Sequence, residues 1–223
     1  MNIVIILAGG TGTRMGVDRP KQYIEVKGKP IISFCIEKFE NCNIIDGIII
    51  VAAKEWQQYI RKYLINISKF IGFASAGDSR QESILNGMKN CPKKAKNIII
   101  HDAARPNVSE KLILNCVKYL DEYDGVMPVL TVKDTIYYSS TGEKIDKLIN
   151  RDCLFAGQAP EAFNYNKYMK IHDGLSNSQL ASVRGSSQIA FENGLNIKLI
   201  NGEEHNYKIT TIEDLRKFEE EMK

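Results

Sequence analysis

The sequence predicts an α/β fold, a mainly parallel sheet with helices on both faces and a projecting β-arm. Three observations carry that expectation. Short, β-branched, wholly apolar runs recur through the first half of the chain, amphipathic segments of helical period separate them, and the pattern changes over about residues 131–161. Strands with no polar side belong in a sheet buried on both faces, and alternating strands and helices give parallel neighbours joined by crossovers.

The elements follow in order. The strand "IVIIL" opens the chain and runs into a glycine-rich connection. Helical spacing is expected near 30–41, then the strand "GIIIVAA", then a helix near 54–65. A helix near 79–90 precedes the strand "NIIIHDAA", and a helix near 109–121 precedes "GVMPVL". From Thr131 the stretch "TVKDTIYYSSTGEKIDKLINR" alternates polar and apolar residues about the turn "SSTGE", which predicts a hairpin leaving the sheet. Helical signal returns near 164–175 and 180–193, followed by the strand "LNIKLI" and a closing helix in "TTIEDLRKFEEEM". Thr210 with Glu213 is the expected capping box of that last helix. No repeat or linker interrupts the pattern, so residues 1–223 are read as one domain carrying the arm.

Composition narrows the function classes. With 43% apolar and 26% charged residues the chain is ordinary for a globular protein, and a net charge of +3 advertises neither nucleic acid nor an anionic membrane. Five cysteines, at 35, 42, 91, 116 and 153, have no C-x-x-C spacing and mostly sit in apolar runs. They read as buried free thiols of a reducing compartment, with neither a disulfide framework nor zinc. The first apolar run lacks a basic leader and ends at Gly9, too short for a signal peptide or a membrane span, so a cytoplasmic protein is expected.

The connection after the first strand, "LAGGTGTRMGVDRPKQY", places Gly9, Gly10 and Gly12 where backbone N–H groups can approach phosphate oxygens without a Cβ in between. A dinucleotide fingerprint would need G-x-G-x-x-G opening directly into a helix, but here Pro20 opposes helix in the residue before it. The Walker Gly-Lys-Ser/Thr is absent. A plain strand–helix turn stays open on the glycines alone. Arg14 and Lys21 in the same connection sharpen it, since two cations aimed at one phosphorus would offset the charge that builds there during displacement.

With its companions "AGDSRQESILNG", "IIIHDAARP", "VKDTI", "INR", "GQAPEAF" and "NYKITTIEDL", this loop resembles the cytidylyltransferases that act on methylerythritol phosphate and ribitol 5-phosphate. They are nucleotidyltransferases of a GT-A-like, Rossmann-related fold, and the motifs span nearly the whole chain in the family's order. The resemblance implies that a polyol phosphate attacks the α-phosphorus of CTP in line and releases pyrophosphate. Such catalysis is mostly positioning and charge stabilisation. By the same resemblance Arg14, Lys21 and Lys208 would stabilise the reacting phosphates, and Ala8, Gly9, Gly10 and Gly12 would contact the nucleotide through the backbone. Gly77, Asp78 and Ser83 would read cytosine, although Asp78 or Ser79 could equally be a helix N-cap. Asp102 and Ala103 would approach the ribose, with Asp102 beside Mg²⁺. Arg105, Thr135 and Arg151 would serve the acceptor phosphate, the last two from an arm that crosses to a second subunit of a homodimer. His101 reads as structural, because nothing supplies it with a partner base, nucleophile or metal set.

Two stretches depart from the family pattern. Methylerythritol-phosphate members tend to carry an acidic T-D-[DE]-A-S ahead of the penultimate helix, where this chain has "SVRGSSQ", and T-P-Q where Ala159-Pro160-Glu161 stands. Ribitol 5-phosphate therefore stays open beside methylerythritol phosphate as acceptor, and with it a product for a surface polymer instead of isoprenoid synthesis. The competing readings are a nucleotidyltransferase for another nucleotide and a sugar phosphate, a Rossmann-type oxidoreductase module, a glycosyltransferase, for which the D-x-D motif is lacking, and a non-catalytic binding protein.

Overall fold

A computed structural model describes residues 1–10, 19–183 and 185–222. Strand β1 (Asn2–Leu7) leads through the glycine loop to a 3₁₀ turn at Lys21–Tyr23 and the small hairpin β2 (Glu25–Val26) and β3 (Lys29–Pro30). Helix α1 (Ile31–Glu40), strand β4 (Gly47–Ala52), helix α2 (Lys54–Arg61), strand β5 (Phe70–Ser75) and helix α3 (Arg80–Lys89) follow. Next come β6 (Asn97–Asp102), α4 (Glu110–Lys118) and β7 (Gly125–Thr131). The arm holds β8 (Ile136–Tyr138) and β9 (Lys147–Ile149), and the chain re-enters the sheet through β10 (Phe155–Gly157) and β11 (Glu161–Asn164). Helices α5 (Tyr165–Asp173), α6 (Asn177–Ser182) and α7 (Ser186–Glu192), strand β12 (Ile197–Asn201) and helix α8 (Ile212–Glu221) complete it.

The sheet runs β10-β7-β11-β6-β1-β4-β5, with β12 on the other edge of β7. Strands β5, β4, β1 and β6 are mutually parallel, as are β7 and β12, while β11 lies antiparallel between β6 and β7. The apolar runs alternate between faces with period two. Val4, Ile6, Ile48, Ile50 and Ile99 pack with α1, α2 and α4, whereas Ile3, Ile5, Ile49, Val51, Ile98 and Ile100 pack with α3 and α5–α7. A third cluster of Val26, Ile31, Ile209 and Phe218 seats α8. The parallel α/β class read from the sequence is the one found.

Several details differ from the expectations. Strand β5 was not anticipated, because Gly72 and the half-buried positions around it break the apolar run. Helix α2 stops at Arg61, four residues before the expected end. The single helix expected over 180–193 is two helices, since Gly185 is extended (φ −140°, ψ 147°) and Val183 leaves helical geometry (ψ 125°). The capping box of α8 is Thr211 with Asp214, one residue beyond Thr210 and Glu213. Asp214 also accepts from the N–H and hydroxyl of Thr210, which explains how both threonines fit the pattern. The arm's turn places Gly142 at φ +82°, a left-handed position that suits glycine. Cys153 is exposed on the arm and Cys91 half-buried, while Cys35, Cys42 and Cys116 are buried free thiols. Among the described residues no helix is long and apolar enough to cross a membrane.

Candidate active site

A cleft of about 490 Å³ opens where the carboxyl ends of β1 and β6 meet the N-terminus of α3. Ligands of open α/β sheets bind at this edge. Its walls include Gly9, Gly10, Lys21, Gly77, Asp78, Ser83, Asp102 and Lys208, all singled out from the sequence, together with Gln22, Ser79, Arg80 and Thr210.

Each wall has a local cause. Gly9 is required by a close approach: a Cβ there would sit 2.6 Å from the Cβ of Ala76, so the first loop and the 76–83 segment are pressed together. A Cβ on Gly10 would meet nothing within 4 Å, so that position opens toward the cleft. The Gln22 side-chain amide donates to the carbonyls of Ala8 and Gly10, both at 2.7 Å, and the Tyr23 hydroxyl donates to Ala8 at 2.7 Å. These bonds fasten the 3₁₀ turn, and with it Lys21, to the glycine loop. Ala8 itself is buried, and its N–H donates to Val51. Arg14 and Gly12 lie outside the described residues.

The opposite wall is the start of α3. Ser79 is the N-cap, accepting from the N–H of Glu82, while the Asp78 N–H donates to the Glu82 carboxylate at 2.7 Å and the Gly77 N–H to the Ser83 hydroxyl at 3.0 Å. The cap and the wall of the cleft are thus the same segment. Arg80 was missed by sequence reasoning, although a signal existed. A cation at the first position of a helix opposes the macrodipole and calls for a compensating anion.

Asp102 ends β6 at the floor of the cleft. Its carboxylate accepts from Lys208 Nζ at 2.9 Å and lies 3.5 Å from Arg80 Nη2 and 3.7 Å from Arg105 Nε. Burial alone would raise its pKa, but Lys208, Arg80 and Arg105 outweigh burial and hold the carboxyl well below the usual carboxylate range. Arg105 sits beside Asp102 away from the cleft lining, donating to the Asn206 carbonyl at 2.7 Å. Ala103 is buried, its N–H given to Leu7 and its carbonyl accepting from the Cys35 thiol. Buried His101 hydrogen-bonds the Arg105 carbonyl at 3.0 Å, and burial lowers its pKa to about 4, so it stands neutral beneath the site.

Thr135 and Arg151 are not brought to this cleft. They share a hollow of about 480 Å³ on the arm with Leu148, Asn150 and Asp152, and Arg151 donates to the Lys133 carbonyl at 2.5 Å. Among the described residues no group of three or more His, Cys, Asp or Glu side chains could hold a metal unaided.

The arrangement is a carboxylate under several cations, faced by a segment of backbone amides and hydroxyls, and it suits a polyphosphate ester. The family profile of 2-C-methyl-D-erythritol 4-phosphate cytidylyltransferases (IspD) matches residues 2–223. A protein of that name from Clostridium acetobutylicum is 39% identical over 221 residues, covering 96% of this chain and 94% of its own length. Another from Clostridium perfringens strain SM101 is 37% identical over 219 residues, with 96% and 95% coverage. The solved structure of a 4-diphosphocytidyl-2C-methyl-D-erythritol synthase from Anaerococcus prevotii superposes with a TM-score of 0.86 at 26% identity, covering 99% of this chain and 95% of that one.

Proposed function

The chain belongs to the 2-C-methyl-D-erythritol 4-phosphate cytidylyltransferase family and is a CTP-dependent cytidylyltransferase, and from that premise we propose that its acceptor is 2-C-methyl-D-erythritol 4-phosphate. An acceptor phosphate oxygen attacks the α-phosphorus of CTP in line, a P–O bond forms, the bond to the β-phosphate breaks, and pyrophosphate leaves. The observation that carries this reading is the meeting of Lys21, Lys208, Asp102 and the 77–83 segment in one cleft of a chain matched from end to end by the family. Ribitol 5-phosphate, open on the sequence alone, finds no support among the named relatives.

Lys21, fixed by the amide of Gln22 on the glycine loop, faces the phosphates. Arg14 joins it by resemblance. Lys208 rests on Asp102 and is 36% exposed, so it can exchange that partner for the α-phosphate when the nucleotide enters. The backbone of Gly77 and Asp78 and the hydroxyl of Ser83 take the base. Mg²⁺ fits as an ion shared with the substrate: Asp102 is a single hard oxygen donor, and the other ligands of such a site come from substrate phosphates and water. When bound, it offsets negative charge on those phosphates. The arm completes a homodimer. That reading is supported by the apolar surface it presents, with Tyr137, Ile145 and Leu148 between 57% and 65% exposed. Thr135 and Arg151 then serve the acceptor phosphate of the neighbouring subunit.

Pyrophosphate release with CTP and Mg²⁺ against 2-C-methyl-D-erythritol 4-phosphate, ribitol 5-phosphate and glycerol 3-phosphate tests this. Release with the first alone supports the proposal. Release with ribitol 5-phosphate alone would refute the acceptor, and CTP that fails to bind would refute the nucleotide site.

A further inference from the structure

Arg80 begins α3, with only 29% of its side chain exposed, and three groups hold its guanidinium. Nη1 donates to the Ser186 hydroxyl at 2.6 Å, and Nη2 lies 3.5 Å from both Asp102 Oδ1 and Glu161 Oε1. The other oxygen of Glu161 accepts from the Ser187 N–H at 2.8 Å and from its hydroxyl at 2.6 Å. Behind this joint Gln81 donates to the Tyr168 hydroxyl at 2.9 Å, and Tyr168 donates to the Ser186 carbonyl at 3.1 Å. Strand β11 and helices α3, α5 and α7 therefore meet in one buried polar network that reaches the cleft through Arg80 and its partner Asp102.

Glu161, Ser186 and Ser187, from the two stretches in which this sequence departs from the family's motifs, meet in that network. Glu161 stands where the motif has glutamine, and Ser186 and Ser187 stand in the stretch where it has acids.

We propose that Glu161 is a positioning residue: it holds Arg80 midway between itself and Asp102, and so keeps Asp102 available to the nucleotide. This rests on the nucleotide reading of the cleft. Lys208 is on Oδ2 of Asp102 at 2.9 Å, while Arg80 reaches Oδ1 only at the long 3.5 Å it shares with Glu161; an Arg80 released from Glu161 would close on Oδ1 and bind both oxygens tightly to protein cations. Glu161 touches none of the reacting atoms.

Glu161→Gln tests the idea, because the amide keeps an acceptor oxygen for Ser187 and turns a donor NH2 toward Arg80, which removes both the charge and the acceptor that hold the guanidinium. Titrating CTP calorimetrically in magnesium buffer well below the melting of either protein, we expect affinity to fall about tenfold, while the lost ion pair lowers the thermal midpoint by several degrees. Adding Ser186→Asp returns a carboxylate to the guanidinium and should bring affinity back to within about twofold, since the two sites share one partner. Unchanged affinity in Glu161→Gln overturns the proposal, as does a loss that the second substitution leaves in place. Wild-type protein that binds no CTP overturns the nucleotide reading as well, whereas wild-type binding with an indifferent variant overturns the positioning role alone.

Discussion

Replacing Asp102 by asparagine should destabilise the protein as well as impair it, and the size of the effect follows from its surroundings. The carboxylate is 13% exposed and lies 2.9 Å from Lys208, 3.5 Å from Arg80 and 3.7 Å from Arg105. Removing one partner of a buried ion pair costs about 3–5 kcal/mol, because charge is left uncompensated. Arg80 keeps Glu161, Arg105 keeps the Asn206 carbonyl, and Lys208 reaches water, so the lower end applies here. In a domain of this size ~3 kcal/mol lowers the melting midpoint by roughly 6–12 °C. The pH dependence has a definite sign. A carboxyl depressed in the folded state contributes stability above its unfolded pKa of about 3.9 and loses it as pH falls below that. The gap between wild type and Asp102→Asn, read by circular dichroism melts, should stay constant from pH 8 to about 5 and narrow below about 4. A midpoint shift under 2 °C at pH 7, or a gap that widens in acid, would refute the reasoning.

Four other outcomes are expected. Lys21→Ala should lower the rate of pyrophosphate release by about 10²–10³-fold, the scale of a lost charge-stabilising donor, with calorimetric CTP affinity much less changed; equal losses in both would make Lys21 a binding residue only. Arg151→Ala should raise the acceptor KM more than it lowers kcat, and Leu148→Glu on the arm should give monomers by sedimentation. A fully active Leu148→Glu monomer would end the shared-site reading. His101 is held near 4 by burial, against about 6.5 unfolded, so its imidazole NMR signals should not titrate between pH 8 and 5. Because the unfolded chain takes up that proton first, stability should fall by roughly 3 kcal/mol as pH drops from about 6.5 to 4. A mid-range titration of His101 would contradict its burial.

The central sheet was legible because β1, β4 and β6 are buried on both faces and so hold unbroken apolar runs, at 3–7, 48–52 and 98–100. Strand β11 was not: four residues behind Pro160, placed antiparallel between β6 and β7, owe their pairing to partners more than thirty positions away. The cleft was legible wherever a loop ends a strand, as at Gly9, Gly10 and Asp102. Arg80, a cation opposing the dipole at the start of α3, and Glu161, a departure from the family pattern, each carried a local signal, but neither names its partner. Their ion pair spans 81 positions and exists only once α3 and β11 are packed.

Net charge missed the anionic ligand for the same reason. A balance of +3 over 223 residues is nearly neutral, and averages surface pairs such as Lys96–Asp121 with the cleft. What matters is placement: among the described residues Lys21, Arg80 and Lys208 line the cleft together with Asp78 and Asp102, and Glu161 stands behind Arg80. Within low-dielectric walls cations gathered on one site attract a polyphosphate far more strongly than the same charges spread over a surface. The carboxylates of Asp102 and Glu161 are also needed. Without them the cations would repel one another in the empty cleft, and the apo fold would bear that cost. Asp102 and Glu161 hold the cations in place until the nucleotide's own charge arrives, and this is why the stability of the free protein and its affinity for CTP should respond in opposite directions to a new Lys or Arg introduced on the cleft wall with Asp102 and Glu161 left in place.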